Sequence, residues 1–555
     1  MNTSTITLSS DPEWYRKAVF YEVMVRSFLD TNGDGYGDFR GMIDKLDYLQ
    51  WLGIDAIWLP PFFQSPLRDG GYDVADYREV LPTYGSTADF DEFLQGAHDR
   101  GMRVVIDFVI NHTSDQHVWF QESRANPEGP FGDFYVWSET DKKFENVRII
   151  FTDTETSNWA FDELRGQYYW HRFFSHQPDL NFENLAVHEA VLDIARYWLD
   201  KGVDGFRLDA IPYLYVSEGN TGESEPPTHA FIQKLRAMMD REYPGRMLVA
   251  EACQQPHEVV DYFGTAETPE CHMAFNFPVM PHIFYSLRSE SAAGLVSTLE
   301  SLPEVQSGAA WGVFLRNHDE LTLEMVTDEQ RAQMYEWYSP DPRMTVNVGI
   351  RRRLAPLLDN DRSQLELANA LLLSLPGSPF LYYGDEIGMG DDIWLDDRDA
   401  SRTPMQWDDS ANAGFSTAEQ DKLYLPVVST DTFGPHAINV ASQQNDPSSL
   451  LSWTRDMLKL RHRLGVFGTG TMNLVSASDP SVLSFLRSPE SGRGDTVLSV
   501  FSFSHNTLGV RLSVGRPNVT LLDAVSGQPV GATDDDGHVV LELAARGWHW
   551  LVLGP

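Results

Sequence analysis

Alternation between short apolar runs and stretches of helical spacing constrains this chain more than any other feature. Runs at 18–25, 54–61, 103–110, 205–210, 246–252, 273–277, 311–316 and 380–384 read as strands. Helical spacing intervenes at 39–52, where Met42, Leu46, Leu49 and Leu52 share a face, and at 188–201, where Val191, Ile194, Ala195 and Leu199 do. Further helices are expected at 88–100, 229–241 and 364–375. Parallel strands need a crossover of a dozen or more residues, usually a helix, and strands buried on both faces read as continuous apolar runs. Eight such strands predict an α/β fold, a closed (β/α)8 TIM barrel. An open doubly wound sheet is the rival, but no Gly-rich phosphate turn follows an early strand.

The pattern is interrupted twice. Residues 112–180, after the third strand, are rich in aromatics and lack the alternation, which predicts an inserted subdomain. After a last helix at 450–464, residues 467–555 show short alternating runs such as 482–485, 496–503 and 548–553, separated by Gly, Pro, Asn and Asp. That predicts a C-terminal antiparallel β-sandwich. The expected division is 1–111 and 181–466 for the barrel, 112–180 for the insert and 467–555 for the β-domain.

With 81 acidic against 42 basic residues the formal net charge is −39, which argues against nucleic acid or an anionic membrane as partner. No run of about 18 apolar residues exists to span a bilayer. Met1 to Pro12 is polar and does not read as a signal peptide. Two cysteines, Cys253 and Cys271, are too few for a disulfide framework and fit a reducing cytoplasm. A homo-oligomer is compatible with all of this.

Chemistry gathers at strand ends. Asp107, Asn111 and His112 close the third strand, Arg207 and Asp209 the fourth, Glu251 the fifth, and His318 and Asp319 the seventh. In a barrel these ends converge on one mouth. Arg207 and Asp209, two apart on a strand, point the same way. Asp209 and Glu251 sit one strand–helix–strand unit apart and would face each other across a cleft. Two carboxylates so placed are what cleavage of a glycosidic bond requires, one to attack or stabilise the sugar cation and one to protonate the leaving oxygen. A single buried carboxylate is as readily structural; four strand ends with matching chemistry are not.

These residues lie in motifs that resemble the α-amylase superfamily. Asp107-Phe-Val-Ile-Asn111-His112, Gly205-Phe-Arg207-Leu-Asp209-Ala, Glu251 and Asn317-His318-Asp319 are similar to its four signatures. Gln177-Pro-Asp179-Leu-Asn181 and Arg398-Asp399-Ala-Ser-Arg402-Thr-Pro-Met-Gln-Trp407 resemble elements of its oligo-glucosidase branch. The resemblance implies Asp209 as nucleophile, Glu251 as general acid/base and Asp319 as transition-state stabiliser. It implies that Arg207 keeps Asp209 ionised, that His112 and His318 bind sugar hydroxyls, that Tyr72 and Asp73 hold the same sugar, and that Arg402 clamps the subsite near Asp73.

Within the branch, the runs after Asp209, around Asn317-His318-Asp319 and at Asn347-Val-Gly-Ile-Arg351-Arg352-Arg353 resemble enzymes that isomerise maltose to trehalose. Those enzymes read Glu-Ala-Asn-Gln-Trp where this chain reads Glu251-Ala-Cys253-Gln-Gln255. The implied reaction is intramolecular transglucosylation by double displacement, with minor hydrolysis to glucose, on maltose and trehalose as small-molecule partners. A plain α-glucosidase is the alternative, and a non-catalytic sugar-binding relative is disfavoured by the intact carboxylates. The insert and Arg351 to Arg353 are the expected lid.

Asp30-Thr-Asn32-Gly-Asp34-Gly-Tyr36-Gly-Asp38 puts oxygen side chains at every second position and reads as a hard-cation loop for structural Ca²⁺, with no organic cofactor. The resemblance adds the Tyr36 carbonyl. It also suggests a second Ca²⁺ site from Asn111, Asp179 and the Tyr213 and Leu214 carbonyls, weakened because Val216 stands where a Glu is usual, unless Glu218 substitutes.

Overall fold

The computed structural model describes residues 8–554; the first seven residues of the polar N-terminal stretch and of the first barrel segment lie outside them, as does residue 555. Eight parallel strands close into a barrel: β1 (Phe20–Glu22), β2 (Ala56–Leu59), β3 (Arg103–Val109), β4 (Gly205–Asp209), β5 (Met247–Ala250), β6 (Met273–Phe275), β7 (Ala310–Phe314) and β8 (Ser378–Tyr382). Each is hydrogen-bonded to its neighbours in chain order, with β8 returning to β1. The expected (β/α)8 fold is the observed one. All eight expected strands are the barrel strands, because each is an apolar run buried on both faces.

The helices form where periodicity puts them. Leu185–Lys201 is capped by the Asn184 side chain on the Ala186 N–H and stops at Gly202 in the left-handed region, φ 107°. It buries Val191, Ile194, Ala195, Trp198 and Leu199 against the barrel. The expected helix at 39–52 is two, Phe39–Asp44 and Leu46–Leu52, broken at Lys45.

The lower barrel is plugged by aromatics. Phe20 stacks on Phe380 at 4.2 Å, Phe275 meets Phe380 at 4.9 Å, and Trp58 lies 5.6 Å from Phe275. Side chains two residues further along a strand share the same face. Glu22 therefore stands above Phe20, and Asp107, Arg207 and Asp209 stand near the mouth, over an aromatic floor.

The insert holds the helix Val118–Ala125 and a three-stranded sheet of Trp137–Ser138, Gln167–Trp170 and Trp159–Asp162. A second excursion, after β7, has no counterpart in the sequence reading. It carries the helix Asp328–Tyr338 and a small sheet of Leu321–Thr322, Gly349–Ile350 and Thr345–Val346. Strands of two residues are too short to show a period. The C-terminal region is a sandwich of a six-stranded and a three-stranded antiparallel sheet. Leu498, Val500, Val510, Leu512, Leu521, Val539, Leu541 and Leu551 fill its core. Among the described residues no helix is long and apolar enough to cross a membrane.

Candidate active site

A cavity of about 160 Å³ opens at the C-terminal mouth of the barrel, where Asp209, Glu251 and Asp319 share its wall with Tyr72, His112 and His318. Phe151 and Phe173 come from the insert; Glu320, Thr322 and Glu324 come from the excursion after β7.

Arg207 organises the carboxylates from below. Its Nη1 donates to Asp107 Oδ1 at 2.6 Å and to Asp209 Oδ1, and its Nη2 pairs with Glu251 Oε1. Glu251 also accepts the Ala210 N–H at 3.0 Å. Ala210 supplies it from a left-handed conformation, φ 49°, unusual for a residue with a Cβ and frequent at functional sites. One guanidinium is thus shared by three carboxylates. Burial, helped by Asp107 and Asp319, pushes the Asp209 carboxyl up to about 7; Arg207 pulls it down, as expected of a neighbouring cation, without bringing it below its usual range. Burial likewise pushes Glu251 up to about 8 and Asp107 to about 6. Asp319 goes the other way: His318, Arg398, Arg402 and Arg207 overcome its burial and hold it far below the usual carboxylate range. The site therefore pairs a proton-holding Glu251 with an ionised Asp319 at neutral pH.

The pocket wall corrects two expectations. Asp73 is fully buried and off the wall; it accepts from Ser65 Oγ at 2.8 Å and from the Arg68 N–H at 3.1 Å. The carboxylate on the wall is Asp69, which pairs with Arg398 at 2.9 Å and accepts from Gln177 Nε2 at 2.9 Å. Arg402 lies behind the wall, donating to the His318 carbonyl at 2.8 Å and reaching Asp319 at 3.3 Å. Arg398 makes the closer approach to Asp319, 3.0 Å. Both arginines stand in the motif read from the sequence, four residues apart on the turn Asp397–Ser401 and its cap.

Tyr72 is held by Asp107 at 3.2 Å and by His318 Nε2 at 2.8 Å, its ring parallel to the imidazole 5.3 Å away. His112 is kept neutral, burial pushing it down to about 4, and it contacts the Tyr72 carbonyl at 3.2 Å. Cys253 also lines the pocket, and burial pushes its thiol up, so it is not a thiolate nucleophile.

Arg351, Arg352 and Arg353 are not lid residues. Arg351 donates to the Leu395 carbonyl at 2.6 Å, Arg352 pairs with Asp391 at 2.9 Å, and Arg353 donates to the Tyr383 carbonyl at 2.7 Å. They bolt the excursion after β7 to the chain beyond β8. The roof is made elsewhere. Arg148 of the insert pairs with Glu223 at 2.8 Å and with Glu324 at 3.5 Å. Asp153 accepts the Asn347 N–H at 2.8 Å, and Phe151 lies 5.4 Å from the Arg398 guanidinium.

In the candidate cation loop, Gly33 and Gly35 have φ of 78° and 96°, and a Cβ at Gly35 would meet the Lys422 carbonyl oxygen at 2.0 Å, so only glycine fits. Asp30 accepts the Gly33 N–H at 2.7 Å, Asn32 that of Asp34 at 2.9 Å, Asp34 that of Tyr36 at 2.9 Å, and Asp38 that of Gly41 at 2.7 Å. Among the described residues no group of three His, Cys, Asp or Glu side chains is gathered for a metal ion. The donor set still suits a hard cation: three carboxylates, one amide oxygen and a main-chain carbonyl. At the second candidate site, Asn111 Oδ1 is buried without a hydrogen-bond partner. Burial pushes the neighbouring Asp179 carboxyl up to about 8, against the pull of Arg172 and Asn111. Tyr213 and Leu214 follow Ala210 on the same turn, and Val216 packs into the core of the insert. Glu218 is exposed.

A closed (β/α)8 barrel with a carboxylate-lined pocket at its C-terminal mouth defines the class, a barrel enzyme. The alpha amylase catalytic domain matches residues 22–339 and 349–470, and the chain belongs to that family. It is 55% identical over 558 residues to the trehalose synthase of Pimelobacter sp. (strain R48), covering 98% of this chain and 97% of that one. It is 59% identical over 491 residues to the trehalose synthase/amylase TreS of Mycolicibacterium smegmatis, covering 88% and 83%. Among solved structures it is similar to the alpha-glucosyl transfer enzyme XgtA, with a TM-score of 0.77, 32% identity, and 97% and 99% of the two chains covered.

Proposed function

We propose that this enzyme isomerises maltose to trehalose. The observation that carries the reading is the match to a trehalose synthase along nearly the whole of both chains. Asp209 attacks C1 of the non-reducing glucose while Glu251, holding its proton, delivers it to the glycosidic oxygen. Asp319, kept ionised by its arginines, stabilises the positive charge that builds on the ring. A β-glucosyl ester on Asp209 results, and free glucose is retained. That glucose turns until its C1 hydroxyl faces the ester carbon, Glu251 takes the hydroxyl proton, and attack returns the Asp209 carboxylate and an α,α-1,1 bond. No water enters the balance; water attacking instead gives two glucoses, the minor reaction.

The roof supports this choice. Insert and excursion meet over the pocket through Arg148–Glu324 and Asp153–Asn347, which favours glucose held beside the ester at high effective concentration. Running the reaction with excess labelled free glucose tests it. Trehalose should carry little label; label approaching that of the external pool would show that glucose exchanges and would overturn the sealed-pocket reaction.

We further propose that Asp30, Asn32, Asp34, Asp38 and the Tyr36 carbonyl hold structural Ca²⁺, and that Asn111 and Asp179 with the Tyr213 and Leu214 carbonyls hold a second, weaker one. An ion bound only by the folded chain stabilises it by about 2.7 kcal/mol at a hundred times its Kd. Chelator should lower the Tm of the wild type by more than that of Asp34→Ala, which keeps only the weaker site; equal melting of the wild type with chelator and with added calcium would rule out the first site. Two free thiols suit a reducing compartment, and we place the protein in the cytoplasm.

A further inference from the structure

Glu22 ends β1 with 1% of its surface exposed, and the reaction above does not use it. Among the described residues its side chain has no ion pair with Lys or Arg. Both hydrogen bonds to its carboxylate come from His318, one from the backbone N–H at 3.2 Å and one involving ring Nδ1. On its far side His318 Nε2 faces Asp319 Oδ2 at 3.1 Å and the Tyr72 hydroxyl at 2.8 Å. The ring is gripped between Tyr72, stacked 5.3 Å away, and Trp58, edge-on at 5.8 Å.

The proton positions follow from what each neighbour can do. Asp319, ionised between Arg398 and Arg402, can only accept, so its contact with Nε2 requires the proton on Nε2. Nδ1 and Glu22 then share one further proton. Whether that proton sits on the ring or on the carboxyl, the pair has no net charge. An uncharged donor pair adds no further negative charge beside Asp107, Asp209 and Asp319. Burial favours the proton on Glu22, raising the carboxyl and lowering the imidazole; Asp319 and Asp107 push Glu22 the same way against Arg207, while on the ring Asp319 favours the charge and Arg402, Arg207 and Arg398 oppose it.

We propose that Glu22 is a positioning residue: by holding Nδ1 it fixes the His318 ring and tautomer so that Nε2–H is presented to Asp319, keeping that carboxylate aimed at the reacting sugar. The proposal rests on Asp319 acting in the reaction, as assigned above.

The test compares Glu22→Leu and Glu22→Gln with the wild type, following total maltose consumed, trehalose plus glucose together. A wrong choice between isomerisation and hydrolysis then changes the product ratio and not this readout, and Asp319→Asn run alongside tests the assignment of Asp319 itself. Glu22→Leu should lower kcat about 10²-fold with KM within about threefold, since a group that acts through a transition-state contact changes kcat. Glu22→Gln, whose amide can donate to Nδ1 but leaves the His318 N–H that shared the same Oε1 without its acceptor, should return kcat to within about twentyfold of wild type. Equal kcat per folded enzyme in Glu22→Leu and wild type would overturn the proposal. If Glu22→Leu does not fold, Glu22→Gln decides alone: a folded Gln variant below about 1% of wild-type kcat would overturn it, and one within about twentyfold of wild type supports it.

Discussion

Replacing Asp209 by alanine, or Glu251 by glutamine, is expected to lower kcat for maltose at least about 10³-fold without lowering the melting temperature at neutral pH. The first half follows from the proposed roles: one change removes the nucleophile, the other the proton donor. The second half follows from burial. Both carboxyls are pushed above their ordinary values, to about 7 and about 8. A group whose pKa is raised on folding contributes stability that is complete below its unfolded value and lost as pH rises through its folded value. Near pH 7, therefore, Glu251 is kept protonated and Asp209 partly so where the unfolded chain would have released both protons; that is a cost, and removing the groups relieves it. Asp319 is the opposite case. Its pKa is depressed, so it contributes stability present above the unfolded value and lost as pH falls through the folded one; Asp319→Asn should cost both activity and Tm. Maltose consumption and thermal melts on the same preparations check all three. A folded Asp209→Ala enzyme with near-normal kcat would remove Asp209 as nucleophile.

Most of the barrel and its chemistry could be read from the sequence because both obey short periods. An apolar run flanked by helices marks a strand, and a polar residue at its C-terminal end marks the mouth; Asp107, Arg207, Asp209, Glu251, His318 and Asp319 were all found that way. Loop residues carry no such period. Asp69 and Asp73 both flank Tyr72, and only the turn through Gly70 and Gly71, φ 59° and 107°, decides that the first faces the sugar pocket and the second faces away. The run Arg351 to Arg353 reads from the sequence as part of a lid, because three cations in an acidic chain need partners or a place at the mouth. Its partners Leu395, Asp391 and Tyr383 lie just beyond β8, in a stretch with no pattern to announce it. Glu22 falls inside the apolar run 18–25 and goes unnoticed there, since nothing local shows that its partner stands at β7's exit almost three hundred residues later.

Arg207→Met should be the most damaging single change at the site, and its damage should depend on pH. The guanidinium is the cation that Asp107, Asp209 and Glu251 share. Methionine keeps much of the stem's bulk and removes the charge, leaving three buried carboxyls to settle their protons among themselves. Breaking a buried ion pair by removing one partner costs about 3–5 kcal/mol, because the other charge is left uncompensated. Here the carboxyls can escape by binding protons. Their pKa values, already raised to about 6, 7 and 8 with Arg207 present, should rise further without it. The folded variant then holds more protons than the unfolded chain over a wider range, and its stability falls as pH rises. The Tm deficit against wild type should accordingly be small near pH 5 and grow steadily towards pH 8. Turnover should fall at least about 10³-fold at pH 7, since a protonated Asp209 cannot attack C1. Lysine at 207 should recover part of the stability and little of the activity, because one ammonium cannot reproduce the fork that holds Asp209 and Glu251 at once. A Tm deficit that is the same at pH 5 and pH 8 would mean that the three carboxyls do not depend on this arginine for their charge.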